Sequence, residues 1–179
     1  MKASLPAPEL TLDLTEIING EELMGPSPFR KHQKILSLFY NRLNSYVEDK
    51  DLGEVYFAPL DVIFEENINR VQPDLLFIKH ENMAIAQDWI RGVPDVVFEV
   101  VSAGSVTIDM VTKKEIYERY KVPEYWVIIP DLTTIEVFTI ENDKYQLFSN
   151  AEITGIAQSK IITGFEIDIE GLFKKRDNS

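Results

Sequence analysis

The sequence predicts an α/β domain with a mixed central β-sheet flanked by helices. Three observations predict it. One long segment, from Phe29 to about Val47, repeats its apolar residues at helical spacing. Three apolar, strand-like runs follow it within residues 54–102. A second helical pattern then stands between two strand-like runs, which calls for a crossover.

The elements follow in order. Residues 1–14 carry two prolines and read as a loose lead-in to a domain spanning 15–174. In "EIINGEELM" (16–24) a central Asn-Gly is flanked by apolar and charged residues, the strongest short hairpin signal. "GPSP" (25–28) breaks the chain, and Ser27 is a candidate cap for the helix after it. Along that helix Ile35, Leu38, Phe39, Leu43 and Tyr46 form the apolar stripe. "EVYFAPLDVIF" (54–64) reads as one strand interrupted near Pro59, and "NRVQPDLLFIKH" (69–80) becomes a strand after Pro73. "DVVFEVVS" (95–102) is the third strand and "DMVTKKEIYERY" (109–120) the crossover helix. "EYWVIIP" (124–130) is a strand ended by Pro130, with Tyr125 and Trp126 assigned to the core or a subunit interface. "TIEVFTI" and "KYQLFS" form a hairpin across Glu141–Asp143. "FEIDIEGLF" closes the domain, and residues 175–179 read as a frayed tail.

Composition narrows the function classes. The 179 residues are 45% hydrophobic and 27% charged, ordinary for a globular chain. No apolar run has the length of a membrane span, and the N-terminal stretch lacks the apolar core of a signal peptide. The absence of cysteine removes disulfides and thiolate metal sites and suits a cytoplasmic protein. Two histidines and no cysteine argue against a structural zinc site. A formal charge of -12 repels phosphate backbones in general, though Arg30, Lys31 and Lys34, and again Lys113, Lys114, Arg119 and Lys121, cluster locally. Walker, GxGxxG, HExxH and GxSxG motifs are missing.

The informative feature is a carboxylate inside an apolar strand. Alternation puts Asp95, Val97, Glu99 and Val101 on one face and Val96, Phe98 and Val100 on the other. An ionised carboxylate buried alone costs several kcal/mol or takes up a proton. Glu99 therefore needs water at the sheet end, a cationic partner, or a metal. Asp74 in "QPDLLFI" opens another apolar strand, and two acids on neighbouring strands can share one divalent cation of the hard, oxygen-seeking kind. Asp109, Lys113 and Tyr117 are spaced four apart on one helical stripe. That stripe either folds back over the same sheet, bringing the Lys113 ammonium to the acids, or holds a surface Asp109–Lys113 pair with Tyr117 in the core.

These residues and their order resemble a known family. "EIINGE", "PSPFRKHQKI", "APLDV", "VQPDLLFI", "GVPDVVFEVVS" and "DMVTKKEIYERYKVPEYWVI", over about residues 16–174, resemble a bacterial family described as putative restriction endonucleases, long catalogued as a domain of unknown function, within the PD-(D/E)XK nuclease superfamily. The resemblance implies a restriction-endonuclease-like core and a magnesium-dependent endonuclease acting on DNA, with manganese able to substitute. It implies that Asp74 is the aspartate of the "PD" element and Glu99 the acid of the (D/E)XK element, with the Val100 backbone carbonyl as a further metal ligand. The superfamily lysine would fall at Val101. Lys113, from the D-x-x-x-K-x-x-x-Y helix, is the candidate replacement.

Other residues stay open between a site role and a plain one. His32 either faces the site or is a surface or capping group at a helix start. Glu16 and Glu21 flank the hairpin turn, solvated or as extra ligands. Asp61 lines the cleft or ends a strand. Asp95 binds a second metal or marks strand entry after Pro94. Three functions compete: a metal-dependent endonuclease, expected as a homodimer because twofold-related sites address both strands of a duplex; a catalytically silent nuclease-fold module that binds nucleic acid or assembles; and an unrelated acidic binder.

Overall fold

The computed structural model describes residues 14–25, 27–101 and 108–174, with the backbone alone for 108–110. The expected lead-in, apart from Leu14, the expected frayed tail and the Asp109 side chain lie outside the described residues.

The Asn-Gly hairpin forms as its sequence dictates. β1 (Thr15–Ile18) pairs with β2 (Glu21–Met24), and Asn19 and Gly20 take φ of 53° and 84°, the two positive values that a tight two-residue turn requires. Helix α1 (Arg30–Asp49) buries the stripe Ile35, Phe39, Leu43 and Val47. Ser27 does not cap it. The N-cap is Phe29, without a side-chain hydrogen bond. Instead, Lys31 Nζ donates to the Pro130 carbonyl and to Asp131 near the start of the helix.

The segment read as one interrupted strand is two strands in different sheets. β3 (Gly53–Phe57) and β4 (Val62–Glu65) are separated by a break that contains the cis Ala58–Pro59 bond, and proline in a sheet is confined to edges and breaks. The next segment divides likewise at Pro73 into β5 (Asn69–Val71) and β6 (Leu75–Lys79). A 3-10 turn over His80–Ile85 and the two-residue β7 (Ile90–Arg91) lead to β8 (Val96–Val100). A π-helical turn (Ile108–Lys113) runs into α2 (Lys114–Arg119), which completes the expected crossover to β9 (Glu124–Ile129), parallel to β8. β10 (Thr134–Glu141) and β11 (Lys144–Glu152) form the expected hairpin. The chain closes with β12 (Ile156–Gln158), β13 (Glu166–Asp168) and α3 (Ile169–Phe173); Asp168 caps α3 by accepting from the Glu170 and Gly171 amides.

Six strands make the central sheet, in the order β11-β10-β9-β8-β6-β3, with β8 and β9 its parallel pair. On one face α1 and α3 pack against Phe77, Phe98 and Trp126. On the other, α2 and the second sheet (β2-β1-β5-β4-β7) cover Leu76, Ile78, Val97, Val101 and Tyr125. The predicted alternation along β8 holds, with Val96, Phe98 and Val100 in one core and Val97 and Val101 in the other. Both faces are buried, so Glu99 is 2% exposed. Tyr125 and Trp126 are both fully buried core residues. Among the described residues no helix is long and apolar enough to cross a membrane.

Candidate active site

Two acids meet where β6 and β8 begin to part. The antiparallel register Leu75↔Phe98, extended by one residue, sets Asp74 opposite Glu99. The Asp74 amide lies 3.4 Å from Glu99 Oε2, and the Val100 amide donates to Asp74 Oδ2 at 2.8 Å. Pro73 sets the start of β6 just ahead of Asp74, so the acid sits at the mouth of the strand rather than inside it.

Neighbouring elements surround this pair. From the first turn of α1, His32 brings Nε2 to 3.0 Å from Asp74 Oδ2. From the crossover, Tyr117 donates to Glu99 Oε1 at 2.7 Å and Lys113 Nζ stands 3.2 Å from the same oxygen. Lys113 lies at the end of the π-helical turn and Tyr117 in the α-helix that continues it. The wider turn is a local feature often found at functional sites. Lys113 Nζ also lies 2.9 Å from Glu16 Oε1 on β1, which in turn accepts the Gln72 amide at 2.6 Å.

The electrostatics follow from this geometry. Two carboxylates, Glu16 and Glu99, meet one ammonium, in a setting where the Glu99 and Lys113 side chains are 3% and 6% exposed. Asp74 is the more open of the two strand acids, at 18%. Burial first, and then the charge on Glu99, holds the Tyr117 phenol well above its ordinary value, so at neutral pH it is a fixed donor to that carboxylate. Glu16, Asp74, Glu99, Lys113 and His32 all line a cleft of about 760 Å³ between α1, the hairpin and β3.

The remaining expected site residues are placed as follows. Val101, the position where the resemblance would put a lysine, is 3% exposed and packs in the second core, and the ammonium beside Glu99 is that of Lys113. His32 is buried against Asp74 rather than at the surface. Glu21 is exposed beside the hairpin turn, on the edge strand of the second sheet. Asp61 is buried outside the cleft lining, where Oδ1 accepts from Gln72 Nε2 at 2.8 Å and Oδ2 lies 3.7 Å from Arg70. Asp95 is at the far end of β8, its oxygens taken by the Lys79 amide and Asn82 Nδ2 at 2.8 and 2.7 Å. It is a structural acid, because same-face residues four apart in a strand stand about 13 Å apart. Glu16, left open as a hairpin residue, reaches the cluster. The signal for it was alternation: Glu16 shares a strand face with buried Ile18.

Among the described residues, no three of His, Cys, Asp and Glu are grouped so as to hold a metal ion by themselves. The donor set that the site does offer is hard carboxylate oxygen. Two such ligands at the foot of an open cleft fit magnesium, which is bound through one or two carboxylates and keeps several waters.

No curated protein matches the chain. Among solved structures it is similar to a putative nuclease of the DUF820 group from Anabaena variabilis ATCC 29413, with a TM-score of 0.75 and 19% identity over 89% of each chain. At that identity the likeness is one of fold, and it matches the mixed sheets and few helices described above. A family model described as "Uma2: Putative restriction endonuclease" matches residues 5–170, nearly the whole chain. The chain belongs to the Uma2 family of putative restriction endonucleases.

Proposed function

We propose that the protein is a metal-dependent nuclease that hydrolyses phosphodiester bonds in DNA. The observation that carries this reading is the pairing of Asp74 and Glu99 at the foot of the cleft, with the Lys113 ammonium 3.2 Å from Glu99. Asp74, Glu99 and the Val100 carbonyl would hold magnesium or manganese. When bound, such an ion supplies Lewis acidity, activating water and offsetting charge on the scissile phosphate.

The chain's own residues do the rest. His32 and the Val100 amide fix the Asp74 carboxylate in place. Tyr117 fixes Glu99 from the other side and keeps its proton while doing so. Lys113 is the group able to donate to the negative charge that grows on the phosphate oxygens as the bond breaks, and preorganised donors of this kind provide much of the rate in phosphoryl transfer. Without a metal ion the carboxylates of Glu16, Asp74 and Glu99 outweigh the single Lys113 ammonium and repel a phosphate, so the site acts on its substrate only when metal-loaded.

Calorimetric titration with magnesium and manganese tests this, alongside incubation of plasmid and single-stranded DNA with either ion. Glu99→Ala is expected to lose metal binding and cleavage while keeping its fold, because Lys113 retains Glu16 as a partner. Equal metal affinity in that variant would remove Glu99 from its role. DNA binding that falls steeply with salt, without cleavage under either ion, would leave a silent binding module instead.

A further inference from the structure

We infer that the cleft takes single-stranded nucleic acid and grips it by its bases rather than its phosphates. The inference rests on the phosphodiesterase reading above and adds the strandedness of the substrate. Beyond the acids the cleft is walled by apolar and aromatic side chains: Leu23 and Met24 of the hairpin, Leu36 and Tyr40 of α1, and Phe57 of β3. Met24 is 77% and Phe57 55% exposed, although both are large and apolar. Tyr40 and Phe57 meet edge to face, with ring centroids 5.2 Å apart and planes at 75°. An apolar patch continuous with a charged site suits a ligand that has both flat faces and charge.

The charge distribution selects the same ligand. Among the described residues that line the cleft, Lys113 is the one lysine or arginine, and it is engaged by Glu16 and Glu99. Proteins that hold a duplex neutralise several phosphates with lysine and arginine, and these contacts set register along both backbones. Among the described residues the lining has no such set for phosphates flanking the scissile one. Base–aromatic stacking is the affinity source that remains; single-strand binders use it together with a positive groove, and in this cleft stacking carries the larger share. Size agrees: a volume of about 760 Å³ lies within the roughly 300–1,000 Å³ of clefts that enclose small ligands and holds a short run of one strand.

Fluorescence anisotropy with short labelled oligonucleotides tests the inference, in calcium so that binding is read without turnover. A single-stranded oligothymidylate is expected to bind at least about tenfold more tightly than a duplex of equal length, and than an abasic strand carrying the same charge. Its salt dependence is expected to be shallow, with a slope corresponding to roughly one or two phosphates. Phe57→Ala is expected to weaken oligothymidylate binding about tenfold without lowering the melting temperature, and Phe57→Trp to restore it. Tyr40→Ala provides a second reading from the other side of the ring pair. Duplex or abasic strand bound as tightly as oligothymidylate, no binding at all, or Phe57→Ala bound as well as wild type would each overturn the inference. Base-dependent binding without cleavage under any ion would defeat the nuclease reading alone. Equal cleavage of duplex and single strand would defeat this inference alone.

Discussion

Lys113→Met removes the cation on which the buried acids depend while keeping a side chain of similar length. In the wild type, Nζ lies 2.9 Å from Glu16 and 3.2 Å from Glu99, and the three side chains are 6%, 13% and 3% exposed. At an effective dielectric near 20, each contact of about 3 Å attracts by roughly 5 kcal/mol before desolvation is counted. Taking the ammonium and its partners out of water cancels much of that, but removing one member leaves the carboxylates buried together without their countercharge. Breaking a buried pair in this way costs about 3–5 kcal/mol. For a domain of this size that lowers the melting temperature by about 6–20 °C. The assay is thermal unfolding followed by circular dichroism at neutral pH with divalent ions chelated. Magnesium is then expected to raise the melting temperature of the variant more than that of the wild type, because the added cation replaces the lost charge and no ammonium competes with it. A variant that melts within about 2 °C of the wild type would refute the argument that Lys113 offsets the burial of these acids.

Three further outcomes follow from particular contacts. Tyr117, raised by burial and then by the charge on Glu99, keeps its proton in the folded state after the unfolded phenol has lost its own near pH 10. Its contribution is complete below about pH 10 and is lost as pH rises above it, since the unfolded state then binds fewer protons. Tyr117→Phe is therefore expected to show a shallower fall of melting temperature above that pH, and equal slopes would exclude the linkage. Glu124, fully buried, accepts from Trp126 Nε1, Ser159 Oγ and the Lys160 and Ile161 amides at 2.7, 2.5, 2.6 and 3.1 Å. Glu124→Ala strands these donors and is expected to cost at least about 3 kcal/mol in urea unfolding, with metal affinity in calorimetry unchanged. Asp95→Ala leaves the Lys79 amide and Asn82 without their acceptor and is expected to cost about 1–3 kcal/mol while leaving metal affinity and DNA cleavage at wild-type levels; a loss of metal binding in that variant would return Asp95 to the site.

Much of this molecule is legible along the chain because its signals are local. Hydrophobic alternation sorts Val96 to Val101 between two cores, and the Asn-Gly pair sets the first hairpin through its positive φ values. Pro73 marks where β6 begins, which places Asp74 at a strand mouth, and the interior carboxylate at Glu99 stands out against its apolar neighbours. Fold class, the crossover between β8 and β9, and the two strand acids all depend on such short-range patterns.

What the chain order could not express depends on which elements pack together. Residues 54–64 look like one interrupted strand, and only sheet assembly sends β3 and β4 to different sheets. Glu16 and Glu21 are equivalent as hairpin acids until β1 docks on β5 and turns Glu16 toward Lys113, leaving Glu21 at the open turn. His32 is ambiguous on an isolated helix and becomes an Asp74 partner once α1 lies on the central sheet. The amino-acid sequence by itself determined the periodicities, the breaks and the presence of charge among apolar residues, because each is settled by covalent geometry within a few residues. The tertiary structure decided which of those charges meet, because contact between residues 16, 32, 74, 99 and 113 depends on the burial of faces far apart in the chain.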